Sequence, residues 1–323
     1  MNEGTGSGRA PLVVIVGPTG AGKSSLAVAL AERVGGEIVC ADSMQVYRDL
    51  DVGTAKATAE TRRRIPHHLV DLCNPDEPFT AADYRRRARA AISDIRERGG
   101  VPIMVGGTGL YLRACLRGLF DGPGEDVALR RALRQEAMRT DSPSLHSRLR
   151  DLDANAAAAI HPNDLFRIVR ALEVAAITGR PISALREESR RRHEPVPGPV
   201  LLFGLERSRE ELYRRIDERV EEMMARGLLD EVRWLLGRGY SPDVKPLRAI
   251  GYRHMIEHLS GRSTLDEAVD RLKRDTRRYA KRQLTWFRHE EGVTWYPVEG
   301  PDFSESLLRA LIERIEGAWA KTA

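Results

Sequence analysis

The chain has 323 residues, of which 41% are hydrophobic and 31% charged, a composition typical of a folded protein with one large or two ordinary domains. No apolar run approaches the roughly 18 residues of a membrane span, and residues 1–10 lack the apolar core of a signal peptide, so we expect a disordered tail there and no membrane partner. The net charge is +5, and only six of the 52 cationic residues are lysine, which is compatible with a polyanionic partner. Three widely spaced cysteines, Cys40, Cys73 and Cys115, form neither a disulfide framework nor a zinc site and predict a reducing, cytoplasmic location.

The first strong motif is a glycine-rich stretch between two apolar segments. An apolar run from Leu12 to Val16 leads into it, and another follows from Leu26 to Leu30. The stretch fits the pattern G-x-x-x-x-G-K-[ST] and consists of Gly17, Pro18, Thr19, Gly20, Ala21, Gly22, Lys23 and Ser24. This order predicts a strand, a loop whose N–H groups bind phosphate, and a helix, with the lysine adding charge and the serine hydroxyl reaching a magnesium ion. The loop predicts a phosphorylated ligand but does not identify it.

A second short buried strand, from Glu37 to Ala41, ends at the sequence Asp42-Ser43-Met44-Gln45. Residues just beyond the carboxyl ends of strands face the ligand crevice of a doubly wound sheet. Asp42 is therefore placed for chemistry beside the phosphate loop. The alternative use of an aspartate at such a position is to cap the segment that follows.

Two further strands are predicted, a short one from Leu69 to Leu72 and a clearer one from Val101 to Val105. The clearer strand runs into Gly106-Gly107-Thr108-Gly109, a second glycine cluster that we expect to face the same crevice. Thr108 is a candidate to bind a phosphate or a reacting group, and its alternative role is a helix N-cap. The strand has no acidic residue at its end, which argues against a motor ATPase.

The second half of the chain adds a helical insertion and a pair of arginines. From about Gly124 the pattern is helical, until an extended Pro-rich segment precedes a new strand at Val200. We therefore predict an α/β fold, with a P-loop NTPase-like parallel sheet core at 11–124 and 199–323 and an inserted all-helical domain at 125–198. Arg215 and Arg219 lie four residues apart on one helical face and suit a diphosphate, although surface ion pairs explain them equally well.

Together these motifs resemble the bacterial type of the tRNA dimethylallyltransferase (tRNA isopentenyltransferase) family over nearly the whole chain. Seven motifs in order carry the resemblance: GPTGAGKS at 17–24, DSMQVY at 42–47, DVGTAK at 51–56, GGTGLY at 106–111, HPND at 161–164, IGY at 250–252 and AKRQLTWF at 280–287. The resemblance implies transfer of a dimethylallyl group from dimethylallyl diphosphate to N6 of the adenosine immediately 3′ of the tRNA anticodon, with release of diphosphate. We expect a monomer that binds the anticodon stem-loop and draws the target base into a channel.

The resemblance also implies roles for particular residues. Asp42 would take the proton of the adenine amine, and Thr108 would bind beside it. Lys23, with Arg215 or Arg219, would stabilise the departing diphosphate on the loop 17–24, and Mg²⁺ on Ser24 would be the cofactor. The implied tRNA contacts are Asp42, Ser43, Met44, Gln45, Thr108, Arg130, Phe166, Arg167, Ile168, Val169 and Arg170. Gly109 departs from the larger residue expected there and leaves the width of the channel open.

Three other functions fit parts of the pattern. A P-loop kinase would use Asp42 as the base toward a hydroxyl, but no arginine-rich lid over a nucleotide is recognisable. An adenylate isopentenyltransferase would prenylate AMP, and the inserted helices together with a basic stripe on the helix from Ser263 to Arg288 favour tRNA instead. A nucleotide-dependent RNA-binding protein without catalytic activity would leave Asp42 with no chemical task.

Overall fold

The computed structural model describes residues 9–120, 122–192, 194–300 and 303–322. Within these ranges the strands are β1 Leu12–Val16, β2 Gly36–Cys40, β3 His67–His68, β4 Val101–Val105, β5 Val200–Glu206 and β6 Val293–Pro297. The helices of the same ranges are α1 Lys23–Val34, α2 Ala59–Arg64, α3 Ala81–Glu97, α4 Gly109–Arg117, α5 Val127–Arg139, α6 Ser142–Leu152, α7 Ala154–Ala159, α8 Leu165–Thr178, α9 Ile182–Arg191, α10 Arg209–Ala225, α11 Leu228–Gly237, α12 Tyr252–Leu259, α13 Leu265–Arg288 and α14 Glu305–Ala320. Among the helices described, none is both long and apolar enough to cross a bilayer.

The described residues divide into two compact units. The first comprises the chain up to Cys115 and from Val196 onward, and the second is Leu116–Pro195. The second unit contains helices α5 to α9 and, in its described residues, no strand. Residues 1–8 of the predicted disordered tail lie outside the described ranges, and Ala10, at the end of that tail, is buried in the core of the first unit.

The six strands form one sheet in the order β3-β2-β4-β1-β5-β6, and every neighbouring pair is parallel. Every residue of β1 and β4 is buried, as expected when helices cover both faces of a parallel sheet. Leu308, Leu311 and Ile315 of α14 pack in the same core as Leu26 and Leu30 of α1. The predicted α/β class with a P-loop-like parallel sheet is confirmed, and the carboxyl ends of the strands lie along one edge.

The predicted strand from Leu69 to Leu72 is wrong. The strand is the histidine pair itself, with His67 opposite Ile38 of β2. Leu69 and Asp71 then have positive φ angles of 64° and 56°, which extended strands do not adopt. The Asp71 carboxylate accepts hydrogen bonds of 2.6 Å from Lys56 Nζ and 2.5 Å from Arg62 Nη1, so this segment is held by side-chain contacts and not by strand pairing.

In the second unit, a buried carboxylate joins α5 to α8. Glu173 is fully buried, and its Oε1 accepts hydrogen bonds from Arg130 Nε at 2.9 Å and from the Asp126 N–H at 2.8 Å. Its Oε2 accepts from Arg130 Nη2 at 2.9 Å and from Arg170 Nη1 at 2.5 Å. Burial raises the pKa of Glu173, but the hydrogen bonds from Arg130 and Arg170 lower it by more, so the net shift is downward.

Replacing Glu173 by alanine is expected to destabilise the α5–α8 pair by about 3 kcal/mol, because two arginines lose their shared carboxylate. Hydrogen exchange of the α5 and α8 amides measures this local loss. The control is Glu187→Ala on α9, whose carboxylate forms surface ion pairs with Arg190 and Arg191 and is expected to contribute less than about 1 kcal/mol. Equal effects of the two substitutions would contradict the role given to Glu173.

Candidate active site

A cleft of about 690 Å³ opens in the first unit, where the loops that follow β1, β2 and β4 meet. The parallel sheet explains this meeting, because the carboxyl ends of its strands share one edge. Nine of the residues singled out from the sequence line the cleft: Thr19, Gly20, Gly22, Lys23, Ser24, Asp42, Gln45, Arg215 and Arg219. Residues from sequence positions up to about 200 apart are thus brought to one cavity.

The backbone of the phosphate loop is shaped by glycines at positive φ, 83° at Gly20 and 96° at Gly22. Gly22 is the N-cap of α1, no side chain caps the helix, and its first turn has no acidic residue. Lys23 Nζ donates a hydrogen bond of 2.7 Å to the Pro18 carbonyl and so folds back across the loop. The N–H groups of the first turn of α1 are therefore left for an anion.

Three side chains from the second half of the chain hold this loop from outside. Gln283 Oε1 accepts a hydrogen bond of 2.8 Å from the Thr19 N–H. Arg215 Nε donates to the Gly20 carbonyl at 3.0 Å, and Arg207 Nε donates to the Ala21 carbonyl at 3.2 Å. These three hydrogen bonds support the shape of the loop from the protein side.

The charges in the cleft favour an anion between Lys23 and Arg219. Burial, followed by the nearby charge of Arg219, lowers the pKa of Lys23 to about 7, and Asp42 offsets only part of this shift. Burial likewise lowers the pKa of Arg219, against the opposing effects of Asp42 and Glu222. Arg219 forms no hydrogen bond or ion pair with the described residues, so its guanidinium is available for a bound anion.

Asp42 has one oxygen engaged and one without a partner. Its Oδ1 accepts a hydrogen bond of 2.8 Å from the Met44 N–H, which closes a turn within the loop. Asp42 therefore caps this turn and not a helix, since no helix begins within residues 43–50. Its Oδ2 accepts no hydrogen bond from the described part of the chain, and this oxygen is a candidate proton acceptor.

Thr108 connects two strand-end loops. Its Oγ1 accepts a hydrogen bond of 3.0 Å from the Ser43 N–H and lies 3.4 Å from Ser43 Oγ. The hydroxyl therefore binds the loop that contains Asp42. The two glycines before it are required by crowding. A Cβ at Gly106 would lie 2.1 Å from the Ala41 carbonyl oxygen, and one at Gly107 would lie 2.0 Å from Gln283 Nε2.

Gly109 lies against a residue of α13. A Cβ at Gly109 would lie 2.2 Å from the indole Nε1 of Trp286, so a larger residue there would have to displace that ring. The guanidinium carbon of Arg113 lies 4.5 Å from the centre of the same ring. The space opened by the glycine is therefore filled by Trp286.

The implied tRNA contacts of the second unit differ in exposure. Ile168 and Val169 are buried in its core, and Arg130 and Arg170 bind Glu173. Phe166 is 69% exposed, and Arg167, also exposed, forms an ion pair of 3.3 Å with Asp164, the N-cap of α8. The side chains that this stretch presents to solvent are thus an aromatic ring and a guanidinium.

The donor set of the cleft fits a magnesium ion bound mainly through a ligand's phosphates. Ser24 is exposed in the cleft, and its hydroxyl makes no hydrogen bond with the described residues. No group of three or more His, Cys, Asp or Glu side chains that could hold a metal ion occurs among the described residues. Mg²⁺ commonly keeps several waters and is bound by one or two protein oxygens together with substrate phosphates.

Comparison with known proteins identifies the family. The sequence model of the family described as IPP transferase matches residues 45–290. The chain belongs to the IPP transferase family. The predicted family, an enzyme family that transfers prenyl groups in tRNA modification, is confirmed.

Relatives within the IPP transferase family are similar over nearly their full length. The tRNA dimethylallyltransferase of Syntrophobacter fumaroxidans is 50% identical over 311 residues, 93% of this chain and 90% of that protein. The enzyme of the same name from Geobacter metallireducens is 52% identical over 301 residues, 93% of this chain and 96% of that protein. The crystal structure of the tRNA isopentenylpyrophosphate transferase from Bacillus halodurans is 42% identical, with a TM-score of 0.71 and coverage of 97% of this chain and 98% of that one. A eukaryotic dimethylallyltransferase, solved while acting on tRNA, is 30% identical, with a TM-score of 0.73 and coverage of 92% and 75%.

The lowered pKa of Lys23 leads to a proton-uptake prediction. At pH 8 an amine whose pKa is about 7 is mostly neutral, and binding of the diphosphate anion should restore its charge. Titration of the protein with dimethylallyl diphosphate, in buffers of different ionisation enthalpy, is expected to show uptake of close to one proton. Lys23→Arg, whose charge does not titrate in this range, should show none. A heat of binding to the unaltered protein that does not change with the buffer would refute the lowered pKa of Lys23.

Proposed function

We propose that this chain transfers a dimethylallyl group from dimethylallyl diphosphate to N6 of the adenosine immediately 3′ of the anticodon in tRNA, and that the transfer takes place in the cleft containing Lys23, Asp42 and Arg219. One observation carries the assignment to this cleft. A phosphate loop with an uncapped helix N-terminus and a carboxylate with a free oxygen line the same cavity. The reaction needs an anion-binding end and a proton-accepting end within reach of each other.

At the anion-binding end, the C–O bond of the allylic diphosphate breaks, and its electron pair leaves with the diphosphate. The loop N–H groups, Lys23 and Arg219 stabilise the negative charge that develops there. We assign the diphosphate to Arg219 rather than Arg215, because Arg215 Nε is engaged with the Gly20 carbonyl and supports the loop. When Mg²⁺ is bound, the Ser24 hydroxyl would hold it, and the ion would neutralise charge on the diphosphate.

At the other end, the adenine amine attacks the allylic carbon. An exocyclic amine conjugated with the purine ring is a weak nucleophile, and its nitrogen becomes positive as the N–C bond forms. Asp42 Oδ2 accepts the proton that the amine then loses. Thr108 acts by holding Ser43, and so the Asp42 loop, in place.

For the tRNA, we propose that Phe166 stacks on an unpaired base and that Arg167 contacts a phosphate. Arg130, Ile168, Val169 and Arg170 then support this surface from within the second unit. We further propose that the protein acts as a monomer in the cytoplasm, where its three buried cysteines, all free in the structure, remain reduced.

Asp42→Asn tests the proton acceptor. The carboxamide keeps the shape of the side chain but cannot take the proton, so the single-turnover rate of transfer to an unmodified anticodon stem-loop is expected to fall by about 10²- to 10⁴-fold. Binding of the stem-loop, measured separately, should change less than about threefold. Asp49→Asn is the matched control, since Asp49 is exposed and its positive φ of 64° suits asparagine. Retention of more than a tenth of the rate in Asp42→Asn would refute the assignment.

Phe166→Ala and Arg167→Ala test the proposed tRNA surface. Loss of one stacking contact is expected to weaken stem-loop binding by about 1–3 kcal/mol at every salt concentration. Loss of one phosphate contact is expected to reduce the slope of log K against log salt by about 1. Met138→Ala, at an 86% exposed residue of α5, serves as the control. Binding unchanged in both variants would exclude this surface.

A further inference from the structure

Two motifs of the chain, DVGTAK at 51–56 and IGY at 250–252, have no role in the chemistry above, yet both contact Glu231. Glu231 lies in α11, and its Oε2 accepts backbone hydrogen bonds from Asp51 at 2.9 Å and Val52 at 2.7 Å. Its Oε1 accepts the Gly53 N–H at 3.0 Å and the Tyr252 hydroxyl at 2.6 Å. One carboxylate therefore binds three consecutive N–H groups, an arrangement that fixes the geometry of a turn.

Tyr252 holds the same turn by packing. It is fully buried, and a Cβ at Gly53 would lie 2.6 Å from its ring. Burial, followed by the charge of Glu231, raises the pKa of Tyr252, so the hydroxyl keeps its proton and donates a hydrogen bond to Glu231. Any side chain at position 53 would separate the ring from the turn and break this contact.

Lys56 holds the far end of the turn. Its side chain is buried, and Nζ donates to the Tyr47 carbonyl at 2.9 Å, to Asp51 Oδ1 at 2.5 Å and to Asp71 Oδ1 at 2.6 Å. An ammonium group has three hydrogens, and each has an acceptor here. Lys56 lies at the cleft wall but is committed to the turn, so it does not compete with Lys23 for the diphosphate.

The turn reaches the cleft through Gln45. The Gln45 Nε2 donates a hydrogen bond of 3.1 Å to the Thr54 carbonyl, and its Oε1 accepts one of 3.2 Å from Cys40 Sγ. These two partners set which end of the amide is the donor. One N–H and one oxygen lone pair of Gln45 remain, and they match the acceptor nitrogen and the amine that adenine presents to a bidentate amide.

We propose that Glu231 is a positioning residue for the acceptor base: by holding the 51–54 turn, it places the Thr54 carbonyl that orients the Gln45 amide toward adenine. This inference rests on the proposed function, in which Gln45 meets the target base. Glu231 itself does not line the cleft. Its effect is therefore on recognition of the tRNA base and not on the binding of dimethylallyl diphosphate.

A double-mutant cycle between Glu231 and Gln45 tests the proposal. Glu231→Gln turns an N–H₂ toward backbone N–H groups and should lower kcat/KM for the stem-loop by about tenfold, with KM for dimethylallyl diphosphate changed less than about twofold. With Gln45→Ala already present, the same substitution should cost less than about twofold, because the group that it positions is gone. Asp230→Asn, at an exposed neighbour that forms an ion pair with Arg233, should leave both parameters unchanged.

Tyr252→Phe provides a milder variant if Glu231→Gln does not fold. It keeps the ring over Gly53 and removes only the hydrogen bond to Glu231, so a loss of about threefold with the same dependence on Gln45 is expected. If the effects of the Glu231 and Gln45 substitutions are fully additive, or if Glu231→Gln changes KM equally for both substrates, the positioning role is overturned. The proposed function would remain intact. Failure of the unaltered protein to transfer to tRNA would instead overturn the proposed function, and this inference with it.

Discussion

The site depends on the close contact of three loops at one edge of the parallel sheet. Gly106 and Gly107 approach the Ala41 carbonyl and Gln283 so closely that neither position has room for a Cβ. Gln283 joins the phosphate loop to the second glycine cluster through the Thr19 N–H and the Gly107 carbonyl, at 2.8 and 3.0 Å. These contacts hold the phosphate loop and the loop that contains Asp42 close together, which is the geometry that the proposed transfer between two substrates requires.

The electrostatics of the cleft follow from this spacing. The charge of Arg219 adds to burial in lowering the pKa of Lys23, while burial lowers the pKa of Arg219, and Asp42 opposes both shifts. A bound diphosphate would offset the positive charge of Lys23 and Arg219. In the proposed reaction this cluster serves the leaving group and Asp42 the acceptor, and we propose that Glu231 supports the acceptor end through the turn that contacts Gln45.

Secondary-structure elements that depend on neighbouring residues were predictable from the sequence. Apolar periodicity, the glycines and the signals for helix ends predict the strand, phosphate loop and helix at Leu12–Val34, and also the helix α8. The motifs predicted the family, which is confirmed.

Contacts between distant positions were not predictable in this way. Glu231 lies 180 residues from Asp51, and Gln283 lies 264 from Thr19, so no periodicity relates them. The predicted strand from Leu69 to Leu72 failed because apolar periodicity does not reveal the hydrogen bonds of Asp71 with Lys56 and Arg62. Two further elements had local signals: the apolar spacing within α14 predicts that helix, and the aromatic and β-branched residues of β6 predict that strand.

The most direct test of the central claim is which group the cleft transfers, and to what. Dimethylallyl diphosphate, labelled in its dimethylallyl group, would be offered to the unaltered protein with Mg²⁺, an unmodified tRNA whose anticodon is followed by adenosine, AMP and ATP. The account predicts label on N6 of that adenosine, none on AMP and no consumption of ATP. Label on AMP alone would make a free nucleotide the acceptor, and consumption of ATP without transfer of label would show that the cleft moves phosphoryl groups and contradict the account.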